Sequence, residues 1–109
     1  FQILGAALAM LVAKTLSGTV IEIAAVDSWM SVVAEAIGAF ILVWGVCSVV
    51  LGKVDDDASG LVIGGSLLLG LLLSSGLSNG VLNPAVAIGI GSLSFGYILA
   101  PIAGSLLAV

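Results

Sequence analysis

Long apolar runs alternate with short polar breaks along this chain. The first run covers residues 1–14, the second 30–51, the third 61–77, and a fourth begins at 95 and continues to 109. A helix needs about 20 apolar residues to cross a hydrocarbon core. The run MSVVAEAIGAFILVWGVCSVVL meets that length, and LVIGGSLLLGLLLSSGL falls slightly short of it. The pattern predicts an all-α membrane protein with spans over 30–51 and 61–77, flanked by the end of one span and the start of another. The first break is mixed and the second polar. Residues 15–29 carry Glu22 and Asp27, and residues 52–60 (GKVDDDASG) form an acidic loop too polar for a membrane interior.

The third break is of another kind. In SNGVLNPAVAIG, residues 78–89, an apolar helix stops at Ser-Asn-Gly and restarts as a run too short to span. Gly80 beside Asn79 is a local helix breaker. Asn83 is a preferred N-cap, and Pro84 suits the first helical position, where its missing N–H is not needed. The expectation is a re-entrant half-helix over 84–92 that starts inside the membrane. Irregular backbone at that depth is tolerated only where it is buried in protein or lines a watery cavity. The free N–H groups and dipole of such a helix would place partial positive charge there, and Asn83 would add a side-chain amide donor.

Composition points to lipid as the solvent. Of 109 residues, 61% are hydrophobic and 7% charged, with a mean hydropathy of +1.42. Soluble domains are about 45–50% apolar and about 25% charged. Lys and Arg together number two and there is no His, so there is no basic patch for nucleic acid. No nucleophile–base constellation and no pair of carboxylates in an apolar setting is present, which argues against an enzyme. Asp55, Asp56 and Asp57 read as a solvated loop rather than a cation site, and neither metal nor cofactor is expected. Cys47 reads as a small residue within its apolar run. Small residues four apart (Gly5/Ala9/Ala13, Ala34/Gly38, Gly60/Gly64, Ala100/Gly104/Ala108) suggest stripes for close helix packing. A faint repeat pairs Ile3 with Ile102, Gly5 with Gly104, Leu8 with Leu107 and Ala9 with Ala108, with Gln2 falling on Pro101. That is the plan of a duplicated membrane fold.

Four stretches of residues together carry a family resemblance. Leu82-Asn83-Pro84-Ala85-Val86 followed by Ala-Ile-Gly resembles the signature of the aquaporin family (major intrinsic proteins). The stretch from Ala34-Glu35-Ala36 to Val43 is similar to the opening of the helix that begins each half of that fold. Tyr97-Ile-Leu-Ala-Pro101-Ile-Ala-Gly104 resembles its sixth span, and Phe1-Gln2-Ile-Leu-Gly5 its third. The resemblance implies a right-handed helical bundle with a re-entrant half-helix, about the second half of an inverted repeat. It further implies a passive multi-pass channel of the plasma membrane, assembled as a homotetramer with one pore in each protomer. In such a channel water turns its oxygen toward Asn83, while the carbonyls of Asn79, Gly80, Val81 and Leu82 line one pore wall as acceptors. Glu35 would be buried and would accept hydrogen bonds from the loop backbone.

Two departures change the expectation. The family usually carries Arg directly after Asn-Pro-Ala, and here that position is Val86. The outer constriction facing this half would be Leu71, Gly80 and Val86, with neither charge nor side-chain donor. Such a filter should pass water and also tolerate small neutral solutes. Only one Asn-Pro-Ala triplet is present, so half of the pore wall is expected from residues upstream of Phe1 or, less favoured, from a second chain. The alternative is a non-conducting structural subunit of a larger membrane assembly, with Leu71 and Val86 closing the pore.

Overall fold

The computed structural model describes residues 1–20 and 22–109. Among the described residues it is all-helical. The elements are α1 (Gln2–Ser17), α2 (Trp29–Val50), a 3-10 turn (Asp56–Ala58), α3 (Ser59–Ser74), α4 (Pro84–Gly89) and α5 (Phe95–Ala108). The 22 residues of α2 and the 19 residues from Asp56 to Ser74 are each long and apolar enough to cross a membrane. At 1.5 Å per residue, α2 reaches about 33 Å, slightly more than a hydrocarbon core of about 30 Å.

Local chemistry sets the helix ends. Ser28 caps α2 through a capping box, its side chain accepting from the Ser31 N–H while Ser31 Oγ accepts from the Ser28 N–H. Gly18 ends α1 in a left-handed conformation and returns its N–H to the Lys14 carbonyl. The helix therefore runs three residues past Lys14, where the sequence pattern had ended it. The third span starts and ends earlier than the 61–77 pattern. The 3-10 turn draws Asp56–Ala58 into its first turn, and after Ser74 the chain turns through Ser75 and Gly76. The half-helix ends at Gly89 instead of Ser92. Gly91, at φ 67°, reverses the chain so that the Ser92 N–H reaches the Ala87 carbonyl at 2.9 Å.

Helix α2 is central, with α3 on one side and α5 on another, while α1 meets the rest chiefly through α4. Its buried stripe is Ser31, Ala34, Glu35, Gly38, Ala39 and Gly45. A Cβ on Gly104 would strike the Ala36 carbonyl oxygen, and one on Gly70 would lie 2.7 Å from the Gly38 carbonyl oxygen. At these points backbone meets backbone. The small-residue stripes are thus used unequally. Ala34, Gly38, Ala100 and Gly104 lie in contacts, whereas Gly5, Gly60 and Gly64 face open space. The face α3 presents to its neighbours is Ser66, Gly70 and Ser74, also four apart but partly polar. Outward positions are apolar nearly throughout, among them Leu4, Leu8, Trp44, Leu68, Leu72 and Leu106.

The glycine contacts give one expected result. Gly104→Ala should unseat α5 from α2 and destabilise the fold by about 1–3 kcal/mol, the usual cost of overpacking. The gain in helix propensity of about 1 kcal/mol does not offset this. Gly64→Ala, which meets open space, should be neutral or mildly stabilising. Thermal unfolding of the two variants in detergent, followed by Trp fluorescence, checks the contrast.

Candidate functional site

The site is the irregular segment 75–83 and the half-helix it leads into. Glu35, fully buried on α2, faces this segment and receives three donors. Ser78 Oγ donates to Oε1 at 2.7 Å, the Val81 N–H to Oε1 at 2.9 Å, and the Leu82 N–H to Oε2 at 2.6 Å. The Gly80 N–H donates to Ser78 Oγ at 3.0 Å, which extends the chain of donors by one. A carboxylate that only accepts can satisfy converging donors on all its lone pairs. The three bonds offset much of the cost of placing it in an apolar interior.

The loop is bent to reach that carboxylate. Gly80 has φ 62° and Leu82 φ 53°, the latter the one left-handed non-glycine among the described residues. For a Leu this conformation costs roughly 1–2 kcal/mol. Its side chain wedges against Gly38 and Gly70, where an added Cβ on either glycine would collide with it. The Leu82 wedge and the Leu82 N–H bond to Glu35 together hold the strained residue in place.

On the other side of the loop stands Tyr97, fully buried on α5. Its hydroxyl oxygen accepts from the Asn79 N–H at 2.9 Å and the Val26 N–H at 3.3 Å. Asn79 uses both hydrogens of its side-chain amide, on the Ala24 carbonyl at 2.9 Å and on Ser92 Oγ at 3.0 Å.

The result is an asymmetry in the backbone. All four N–H groups of residues 79–82 are held by protein acceptors: Tyr97, Ser78 and both oxygens of Glu35. None of the four carbonyl oxygens of Asn79, Gly80, Val81 and Leu82 accepts a hydrogen bond among the described residues. Polar backbone groups in an apolar fold need partners. The run of acceptors without protein partners ends next to Asn83, and Leu82 at its end borders the largest of the clefts around Asn83.

Asn83 caps α4. Its Oδ1 accepts from the Ala85 N–H at 2.9 Å, with Pro84 at the first helical position. Its Nδ2 donates one hydrogen to Gln2 Oε1 at 3.2 Å. Three open clefts meet at this Asn83–Gln2 pair. The largest, about 490 Å³, passes Leu82, Pro84 and Pro101. A second, about 440 Å³, passes Ala6, Ala85, Val86 and Ile90. The third, about 420 Å³, lies beside Leu4 and Pro84.

The three filter candidates fall in two places. Leu71 lies against Gly80, where an added Cβ would meet its Cδ2 at 3.3 Å. Val86 is exposed and opens into the second cleft with Asn83. Four polar contributors escaped the sequence reading: Ser78, Ser92, Tyr97 and the amide of Gln2. Tyr97 carried a usable signal, since a lone tyrosine in an apolar helix must find a partner for its hydroxyl when buried. No group of His, Cys, Asp or Glu able to hold a metal occurs among the described residues. Comparison with protein-family models, with curated proteins and with solved structures finds no match.

Proposed function

We propose that this chain forms one side of an aquaporin-type passive channel, conducting water and small neutral solutes across a membrane it crosses several times. The observation that carries the reading is the row of partnerless carbonyls at 79–82, ending at the Asn83 amide. Acceptors followed by a donor suit a molecule that both donates and accepts. A bare cation would find the carbonyls but would be opposed by the N–H groups of Asn83, and the cleft beside Asn83 is otherwise lined mainly by apolar Ala6, Ala85, Val86 and Ile90. Both oxygens of Glu35 are taken by donors within the protein, so its side chain serves the loop and not a passing solute. Assembly as a homotetramer in the plasma membrane belongs to the same proposal. One contact favours a second reading, a non-conducting structural subunit: Gln2 already takes one of the two Asn83 amide hydrogens.

Stopped-flow measurements on proteoliposomes separate the two, with water, ammonia and glycerol followed individually. The channel reading expects each to move faster than through empty liposomes. If none does, the structural subunit replaces it. Val86→Arg supplies a charged donor to the cleft beside Asn83 and should lower the glycerol-to-water permeability ratio on the order of tenfold. That corresponds to about 1.4 kcal/mol of discrimination.

A further inference from the structure

Residues 22–28 form no regular structure, yet they are fastened to the site at successive points. The Ile23 N–H donates to the Ile90 carbonyl at 3.1 Å, the Ala24 carbonyl accepts from Asn79 Nδ2, and the Val26 N–H donates to Tyr97 Oη. Ala25 packs on the buried cluster of Val81, Ala87 and Tyr97. Ile90, at the first of these bonds, also lines the cleft that holds Val86 and Asn83. Asn79 is the common member of this network. Through two amide hydrogens and one backbone N–H it joins the 22–28 segment, the turn after α4 and helix α5.

We propose that Asn79 is a positioning residue for solute selection, latching residues 22–28 against the rim at Ile90 and so setting the width of the opening beside Val86. The proposal rests on the channel reading, but the latch has a readout of its own. In Asn79→Asp the side chain keeps its shape and loses both donors, and a carboxylate oxygen then faces the Ala24 carbonyl. Acceptor opposes acceptor there, and the segment lifts. Tyr97→Phe removes the acceptor shared by Asn79 and Val26, and Ser92→Ala removes one partner of Asn79 as a milder change.

The test pairs hydrogen exchange with transport in the full-length protein. In Asn79→Asp the Ile23 and Val26 amides should exchange on the order of tenfold faster, the scale set by losing one or two hydrogen bonds. The glycerol-to-water permeability ratio should rise severalfold, whereas general loss of folded protein would lower both permeabilities together. Tyr97→Phe should move both readouts the same way and Ser92→Ala by less, so either serves if Asn79→Asp does not fold. Unchanged exchange overturns the latch. Faster exchange with an unchanged ratio overturns the role in selection while leaving the channel intact. A wild-type protein that conducts nothing overturns the channel reading and with it the role in selection, while the exchange data alone decide whether Asn79 latches the segment.

Discussion

Glu35→Ala is expected to release the 78–83 segment and abolish transport, with a loss of folding stability on the order of 3–6 kcal/mol. The estimate follows from the donors left behind: Ser78 Oγ and the N–H groups of Val81 and Leu82 all end on this carboxylate. A buried donor stripped of its acceptor costs about 1–3 kcal/mol. Leu82 adds to the effect, because the bond to Glu35 helps hold it at φ 53°. Once free it can relax, and its side chain leaves the seat between Gly38 and Gly70. Glu35→Gln gives a graded result. It keeps the volume and one acceptor, but turns an NH2 toward a backbone N–H that needs an acceptor. Thermal unfolding in detergent and water permeability should both rank wild type above Glu35→Gln and Glu35→Gln above Glu35→Ala. A Glu35→Ala protein that unfolds at the wild-type temperature would mean that the loop is held by something other than this carboxylate.

The parts of this arrangement legible in the sequence are those governed by neighbouring residues. Asn83 followed by Pro84 defines a helix start within two positions, and the structure has Asn83 as cap and Pro84 at the first helical position. The apolar run ending in VCSVV predicts the second long helix to within one residue at each end, because the run is bounded by Ser28 before it and Gly52 and Lys53 after it. Helix ends were read less well. Gly91 stops α4 through its left-handed conformation, yet in the string AIGIGS nothing distinguishes it from Gly89, which stays helical. Lys14 looked like a boundary because it is charged, but a single lysine costs little near the end of a helix.

Long-range partners were hardest to read. That Glu35 would meet the loop came from the family resemblance. That Asn79 would bond Ala24 and Ser92 could not be read locally, since which helices adjoin decides it. The unequal use of the small-residue stripes has the same origin. Gly64 and Gly70 look alike in the sequence, and only the crossing with α2 makes Gly70 indispensable.

The other large effect is expected at Asn83, where two substitutions separate the cap from the donor. The side chain has two roles: Oδ1 caps α4 through the Ala85 N–H, and Nδ2 presents hydrogens toward Gln2 and the meeting point of the clefts. With six residues, α4 is too short to hold itself helical, so its start depends on this cap and on packing. Asn83→Ala removes both roles and should cost about 1 kcal/mol of stability, the usual value of an N-cap. Asn83→Asp keeps the capping oxygen and should fold as well as wild type, while losing the donor and placing a carboxylate beside the free carbonyls of 79–82. On the channel reading, water that would offer its oxygen to the amide then finds only acceptors. Water permeability should fall on the order of tenfold in both variants, equivalent to about 1.4 kcal/mol on the barrier. Cation leak, read from the discharge of an imposed potassium gradient in the same liposomes, should rise only in Asn83→Asp, because that variant alone puts a negative charge where a donor stood. If Asn83→Asp passes water at the wild-type rate and stays tight to potassium, the Asn83 amide lies outside the conduction path and serves only as a cap.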